Sequence, residues 1–207
     1  MTADAAARIL TIGHSTRTLA EFTDLLEWNG VGHVVDVRRL PGSARHPHFD
    51  HDTLGRSLAR LGIELSRSEA LTGRRPVSRT VPFEANAGWE NRSFHNYADH
   101  ALSDEFRDAL AALRAAAGAR PTAVMCSEAV WWRCHRRIIA DHLIAAGEPV
   151  GHIMAPGKVV PAVLSAGAVP DAGRVTYPRP PAEEVRDRRS GQAGRRARRV
   201  IGEDPRV

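Results

Sequence analysis

The sequence has few cysteines and lacks the long apolar runs of a membrane-spanning protein. Cys126 and Cys134 are its only cysteines, so a single disulfide is the most that they could form. No apolar stretch approaches the roughly 20 residues that cross a bilayer as a helix. Residues 1–8 also lack the basic and apolar pattern of a secretory signal. These absences predict a cytoplasmic protein without a membrane role, whose thiols are free, bound to a metal or used in redox chemistry.

Two common nucleotide-binding motifs are also missing. Gly13 does not belong to a Gly-x-Gly-x-x-Gly run, and no Gly-x-x-x-x-Gly-Lys pattern occurs. In those motifs, glycines allow the backbone to approach a phosphate closely. The usual dinucleotide-binding and phosphate-loop enzymes are therefore disfavoured.

Positive charge is concentrated in the last part of the chain. The net charge is +5, and residues 171–207 hold ten arginines against six acidic residues, whereas residues 1–170 are nearly neutral. The last segment is rich in Arg and Pro and poor in large apolar side chains, so it cannot bury enough surface to offset its ordering entropy. We expect one α/β domain over residues 1–170 and a disordered basic tail over residues 171–207. Binding of nucleic acid through this tail is one alternative function.

Strand and helix patterns alternate along the predicted domain. The predicted strands cover residues 8–13, 32–37, 63–65, 122–125 and 149–154, and the predicted helices cover residues 19–29, 52–61, 104–117, 136–146 and 159–166. Thr18 and Glu21 form a capping-box pattern, and Gly30 suits the following helix end. Residues 67–96 are punctuated by Pro and Gly and have no clear assignment. The alternation predicts an open, mainly parallel sheet flanked by helices, a Rossmann-like three-layer fold.

Reactive side chains follow several of the predicted strands. The carboxyl ends of parallel strands meet along one edge of an open sheet. The side chains expected there are those of His14, Ser15, Asp36, Arg38, Arg39, Cys126, Ser127 and Glu128. A thiol, an imidazole, carboxylates and guanidinium groups together favour nucleophilic or acid–base chemistry on an anionic ligand. We therefore predict a crevice at the strand ends, with Cys126 at its centre.

The run Cys134-His135-Arg136 is predicted to form one wall of this crevice. It lies at the start of a predicted amphipathic helix, where free backbone N–H groups favour a thiolate and a bound anion. Successive helical side chains diverge by about 100°, so we expect at most two of the three to reach a ligand. Each cysteine taken alone is equally consistent with a small buried hydrophobe. Trp131 and Trp132 suit either a partly buried position or a stacking wall for a planar ligand.

Motifs spread over residues 9–153 resemble a bacterial family called domain of unknown function 488. They are Thr11-Ile12-Gly13-His14-Ser15, Asp36-Val37-Arg38 with Pro41 and Ser43, Leu71-Thr72-Gly73-Arg74, Phe94 with Tyr97, Cys126-x-Glu128, Cys134-His135-Arg136, Gly147 and His152-Ile153. The resemblance implies a site formed by His14, Ser15, Asp36, Arg38, Cys126, Glu128, Cys134, His135 and Arg136. Val130, Trp131 and Thr72 depart from the family pattern. The resemblance implies a fold and a site, and no reaction.

The leading hypothesis is a cytoplasmic cysteine-dependent transferase or hydrolase that acts on a small anionic or nucleotide-like ligand. Its nucleophile is Cys126 or Cys134, and its proton-transfer partner is His135 or His14. Glu128 or Asp36 is expected to orient the base. The ligand-binding residues are predicted to be Ser15, Arg38, Ser43, Tyr97, Trp131, Trp132 and Arg136.

No fixed zinc motif occurs, so the leading hypothesis assigns no metal ligands. An alternative function is a metal or redox-cofactor site built from Cys126, Cys134 and a histidine. The cofactor and the oligomeric state stay unassigned. A weaker analogy with rhodanese-like domains rests on the Asp36-Val37-Arg38 strand end beside a cysteine loop.

Overall fold

The computed structural model describes residues 7–42 and 45–179. Within these residues, one sheet contains six strands: β1 (Ile9–Gly13), β2 (His33–Asp36), β3 (Glu64–Arg67), β4 (Thr122–Cys126), β5 (Val150–Ala155) and β6 (Lys158–Pro161). Their order across the sheet is β3-β2-β4-β1-β5-β6. The first five are parallel, and β6 pairs antiparallel with β5. The predicted open, mainly parallel sheet is confirmed.

Helices cover both faces of this sheet, because strand side chains alternate between its two faces. The helices are α1 (Leu19–Trp28), α2 (His51–Ala59), α3 (Arg92–His100), α4 (Asp104–Ala119) and α5 (Arg136–Ala145). Leu10 and Ile12 of β1 pack in an apolar cluster with α1 and α2. Ile9, which faces the other side of the sheet, packs in a second cluster with α3, α4 and α5. The three-layer α/β architecture follows from this division.

The start of α1 has the predicted capping box. The Thr18 hydroxyl accepts a hydrogen bond from the backbone N–H of Glu21, and the Glu21 carboxylate accepts one from the backbone N–H of Thr18. Each bond satisfies a backbone donor that the first helical turn leaves free. Gly30 follows the helix with a φ of 63°, as expected for the residue after a helix end.

The helix predicted over residues 159–166 is wrong. Lys158–Pro161 forms β6, and Val159 and Val160 pair with Ile153 and His152 of β5. Branching at Cβ favours a strand over a helix, and Gly157, with a φ of 65°, allows the tight turn before β6.

The segment left unassigned in the sequence contains α3. Its N-terminal residue Asn91 accepts hydrogen bonds from the backbone N–H groups of Ser93 and Phe94. The buried residues of α3 include His95 and Asp99, so polar residues interrupt the apolar stripe that would have revealed the helix.

A short hairpin extends the domain beyond the predicted boundary at residue 170. It consists of β7 (Val169–Asp171) and β8 (Arg174–Thr176). Val175 and Tyr177 are buried, and the Tyr177 hydroxyl donates a hydrogen bond of 2.8 Å to Asp141 of α5. Residues 171–179 therefore pack on the domain, because these two side chains join its core. The predicted disorder of the remaining tail concerns residues 180–207, which lie outside the described residues.

Among the residues that the structure describes, no helix combines the length and the apolar character of a bilayer span.

Candidate active site

The ends of β1 and β4 hold the centre of the site. Gly13 pairs with Cys126, and the backbone N–H of His14 donates to the carbonyl of Cys126 at 3.0 Å. The next N–H, of Ser15, donates to the carbonyl of Ser127 at 3.0 Å. A Cβ at Gly13 would lie 1.9 Å from the carbonyl oxygen of Glu128. Glycine is thus required here, because the loop after β4 folds directly over the end of β1.

Three polar groups converge on the sulfur of Cys134. The Arg136 Nε lies 3.4 Å from this sulfur, and the His135 Nδ1 lies 3.6 Å from it. The Cys126 sulfur lies within 4.8 Å of it. The helical divergence assumed for Cys134, His135 and Arg136 does not occur, because Cys134 is extended, with φ −125° and ψ 148°. Cys134 and His135 line the cavity described below, and Arg136 does not. The helix begins only at Arg136, so helical spacing does not apply to Cys134.

The two thiols have opposite protonation preferences. The neighbouring Cys126 thiol, together with the charge and N–H groups of Arg136, lowers the pKa of Cys134 to about 6 against the opposing effect of burial. The neighbouring Cys134 sulfur and burial raise the pKa of Cys126 well above its usual value. These directions favour a thiolate at Cys134 and a protonated thiol at Cys126.

Arg136 is held in place from several sides. Its guanidinium donates to the carbonyl of Glu128 and to the hydroxyl of Thr11, the latter at 3.4 Å. The Thr11 hydroxyl also forms a hydrogen bond of 2.8 Å with the Nδ1 of His152. The ring of Trp131 stacks on His152 at 4.3 Å. Arg136 is 1 % exposed, so it acts on Cys134 from within the protein.

The tryptophans do not form the predicted stacking wall of the thiol cavity. Trp131 covers His152, and Trp132 is exposed and meets Trp131 edge to face at 5.6 Å. Neither side chain lines the cavity that contains the thiols.

His135 fits between a glycine and a tyrosine. A Cβ at Gly73 would lie 2.8 Å from the His135 Nδ1, and the Tyr97 ring centroid is 4.8 Å from the imidazole. The Tyr97 hydroxyl is occupied, since it donates to the carbonyl of Leu71 at 2.8 Å. Burial lowers the pKa of His135, so the imidazole beside Cys134 is neutral.

Asp36, Arg38 and His14 form a buried cluster beside the thiols. Arg38 Nε and Nη2 donate to the Asp36 carboxylate at 2.9 and 2.6 Å, and Nη1 donates to the carbonyl of Phe49 at 2.7 Å. Arg38 Nη1 is also 3.4 Å from the Nε2 of His14, whose Nδ1 donates to the carbonyl of Ser15. Burial, followed by the charge of Arg38, lowers the pKa of His14 to about 4. Both nitrogens of His14 are occupied, which does not suit the predicted role in proton transfer.

A cavity of about 380 Å³ opens over the thiols. Its walls include Cys126, Cys134 and His135. Four arginines, Arg38, Arg39, Arg74 and Arg133, contribute to it together with Glu128, Phe94 and Tyr97. Arg39, Arg74 and Arg133 are exposed side chains, whereas Arg38 is committed to Asp36. The cavity thus combines a thiolate with an excess of positive charge.

Sequence analysis overlooked Arg74 and Arg133 as site residues. Arg133 directly precedes Cys134, and that adjacency is a usable signal. Arg74 lies in the segment that had no assignment, although it belongs to one of the family motifs.

The other predicted residues lie around the thiol cavity. His14 and Ser15 line a neighbouring cavity of about 370 Å³, which shares Arg38, Leu40 and Ser127 with the first. Asp36 and Arg136 are buried beneath the cavities and line neither. Ser43 lies outside the described residues.

Fold and site together define an α/β protein with a buried Cys/His/Arg cluster at the carboxyl ends of its parallel strands. The sequence model of the family described as domain of unknown function DUF488 matches residues 18–143, and the chain therefore belongs to this family. No curated protein and no solved structure gives a significant match.

Proposed function

We propose that the protein is a cytoplasmic, thiol-dependent transferase or hydrolase in which Cys134 attacks a small anionic substrate. The observation that carries the proposal is the convergence of three groups on the Cys134 sulfur. They are the Cys126 thiol, the His135 imidazole and the Arg136 guanidinium, which meet just before the start of α5. Such an environment stabilises a thiolate, which is the reactive form of cysteine.

The arginines of the cavity supply the affinity for an anion. Arg39, Arg74 and Arg133 are exposed at its wall, so their guanidinium groups are accessible to carboxylate, phosphate or sulfonate oxygens. Arg38 contributes less, because Asp36 balances its charge. A volume of about 380 Å³ suits a small molecule.

The side chains next to Cys134 are the proposed proton-transfer groups. The Cys126 thiol is protonated and adjacent to the nucleophile, and the neutral His135 imidazole is 3.6 Å from the Cys134 sulfur. Cys126 is therefore the proposed proton donor and His135 the proposed proton acceptor near the reacting atom. Glu128 is exposed at the cavity wall, where it can orient a substrate or a water molecule.

Residue-specific alkylation tests this proposal. The reduced protein is treated with a limiting amount of iodoacetamide at pH 7, and the modified cysteine is identified by peptide mass spectrometry. We expect Cys134 to be modified first, the Cys134→Ser variant to react slowly, and inorganic phosphate or sulfate to protect Cys134. Preferential modification of Cys126, or a Cys134 rate no greater than that of a free thiol, would refute the proposal.

A metal centre is a second candidate function, favoured by one specific observation. One donor atom from each of Cys126, Cys134 and His135 lies within 4.8 Å of the others. Two thiolates and an imidazole are typical ligands of Zn²⁺, and the cavity provides an open fourth position of the kind that catalytic zinc sites retain. Arg136 would contact the sulfur of the Cys134 ligand without binding the metal itself, and so hold that ligand in place.

Cobalt substitution tests the metal candidate. We expect the purified protein to contain one equivalent of metal, and Co²⁺ to give thiolate charge-transfer bands that Cys126→Ser, Cys134→Ser and His135→Gln each reduce. His100→Gln is the matched control, because His100 contacts the carbonyl of Ala70 away from the thiols. A protein without bound metal, whose Co²⁺ spectrum lacks these bands, would exclude this function.

A further inference from the structure

We infer that Cys126 is a resolving thiol, and that the substrates of the cavity are small anionic disulfides. The inference rests on the proposed nucleophilic role of Cys134. The cysteine pair would reduce the substrate while forming a Cys126–Cys134 disulfide.

The short distance between the two sulfurs, within 4.8 Å, favours this chemistry over simple acyl or phosphoryl transfer. Those reactions need one nucleophilic sulfur, and their proton donor can be any acidic side chain, so they do not require a second thiol beside the first. Here the sulfurs of Cys126 and Cys134 lie within 4.8 Å of each other, and the Cys126 sulfur also approaches the Ser127 hydroxyl at 4.0 Å. Both cysteines line the same cavity. Any sulfur-bound group on Cys134 would therefore stand beside a thiol that can displace it.

The reaction balances in two steps. The Cys134 thiolate attacks one sulfur of the disulfide R–S–S–R, forms Cys134–S–S–R and releases R–S⁻. Cys126 then loses its proton, which the released thiolate can take, and attacks the Cys134 sulfur. This forms the Cys126–Cys134 bond and releases the second R–S⁻. One substrate disulfide is reduced to two thiols, and the two cysteines lose two hydrogens. An external thiol or dithiol must then reduce the protein disulfide before another cycle.

The charge and shape of the cavity select the substrate. Exposed guanidinium groups of Arg39, Arg74 and Arg133 outnumber the single carboxylate of Glu128. Phe94 and Tyr97 add an apolar wall that suits a planar or aliphatic group beside the disulfide. The Cys134 and Cys126 side chains are 4 % and 7 % exposed, so a compact disulfide reaches them more readily than a folded protein would.

The stoichiometry of an aromatic disulfide reaction tests the resolving role. The reduced protein is mixed without oxygen with one equivalent of 5,5′-dithiobis(2-nitrobenzoate), a disulfide with two carboxylates. We expect wild type to release two thionitrobenzoate ions per molecule and to lose two hydrogens in its intact mass. Cys126→Ser and Cys126→Ala should each release one ion and keep a stable mixed disulfide on Cys134.

The outcomes separate this inference from the proposed function. If wild type stops at a mixed disulfide on Cys134, the resolving role is wrong and the nucleophilic role stands. If Cys134 does not react, both are wrong. The wild-type stoichiometry needs no variant, so a variant that fails to fold does not compromise the test.

A neutral probe tests the preference for anions. 2,2′-Dipyridyl disulfide has no carboxylate, so Arg74→Gln should slow the reaction with the dicarboxylate about threefold more than the reaction with the neutral disulfide, the effect of one exposed ion pair. Arg92→Gln is the matched control, because Arg92 is exposed on α3 and does not line the cavity. An equal effect of Arg74→Gln on both probes would contradict the substrate class.

Discussion

The Nε of Arg136 lies 3.4 Å from the sulfur of Cys134, although Arg136 begins α5 and Cys134 precedes the helix in an extended conformation. The extended residue turns the Cys134 side chain back over the start of the helix. A buried guanidinium and a helix N-terminus therefore act on the same sulfur, and both favour its negative charge. This relationship is why the proposed function assigns the nucleophile to Cys134 and not to Cys126.

The first prediction concerns the pH dependence of this thiol. Alkylation consumes the thiolate, so its rate should rise with pH, reach half its maximum near pH 6 and level off above about pH 7, in line with the lowered pKa of Cys134. Arg136→Gln removes a positive charge and should raise this pKa. If the pKa rises by about one unit, the fraction of thiolate at pH 6 falls about fivefold, and the reaction slows by the same factor. The measurement is the iodoacetamide rate at Cys134 from pH 5 to 9.

Arg136→Lys is the control for charge, since it keeps a cation without the guanidinium geometry. It should keep more of the low-pH reactivity than Arg136→Gln. A wild-type rate that climbs steadily through pH 8, as for an unperturbed thiol, would contradict the assignment.

The sheet and the position of the site were predictable from the sequence, because both depend on local patterns. Apolar runs marked β1, β2 and β4, and the carboxyl-end rule placed Cys126 near His14 and Arg38. The α3 helix was hidden by its buried polar residues His95 and Asp99. The positions of α3 and of Arg74 depend on tertiary contacts, which the local pattern of apolar residues does not reveal.

The convergence on Cys134 escaped prediction for a different reason. The predicted start of α5 agrees with the observed one, but helical spacing was extended back to Cys134, which precedes the helix in an extended conformation. How a side chain just outside a helix is turned is weakly specified by sequence. The pairing of Asp36 with Arg38, in which each charge balances the other, was also invisible in a list of strand-end residues.

The second prediction links His142 to acid stability. His142 is 2 % exposed and packs edge to face on Phe106, and burial lowers its pKa to about 4. The unfolded chain protonates this imidazole near pH 6.5, whereas the folded chain does not, so the free energy of unfolding should fall as pH drops from 6.5 to 4. His142→Leu removes this contribution and should make the loss between these pH values smaller by about 2 kcal/mol.

Urea denaturation at several pH values measures the effect. His48→Gln serves as the control, because His48 is only half-buried and its Nε2 contacts the carbonyl of Arg17, away from α5. If the free energy of unfolding depends on pH in His142→Leu as it does in wild type, His142 is protonated in the folded protein as well.

The third prediction concerns the hairpin that closes the domain. The Tyr177 hydroxyl donates to Asp141 at 2.8 Å in a buried position, and the backbone N–H of Tyr177 donates to the side chain of Asn86. Tyr177→Phe keeps the ring and leaves Asp141 without this donor, so it should lower the free energy of unfolding by about 1–3 kcal/mol. Thermal and urea denaturation measure the loss. If Tyr177→Phe unfolds at the same temperature and urea concentration as wild type, this hydrogen bond has no structural role.

The fourth prediction separates the hairpin from the basic tail. Truncation after Arg179 keeps Tyr177, whereas truncation after Pro170 removes it together with β8. The shorter protein should be markedly less stable than the longer one. If the tail binds nucleic acid, truncation after Arg179 should abolish that binding and its salt dependence while Cys134 keeps its reactivity. Salt-dependent binding that survives this truncation would locate the interaction in the folded domain.

The last prediction uses two glycines as a matched pair. A methyl group at Gly73 would lie 2.8 Å from the Nδ1 of His135, so Gly73→Ala should displace the imidazole from Cys134. A methyl group added at Gly118 of α4 would meet no atom within 4 Å, and Gly118→Ala should raise stability by about 0.5–1 kcal/mol because alanine favours a helix. If His135 assists Cys134, the rate of disulfide reaction at Cys134 should fall several-fold in Gly73→Ala and stay at the wild-type value in Gly118→Ala. Equal rates in both variants would mean that His135 only fills space beside Tyr97, and the proton acceptor would then have to be another group at the cavity wall.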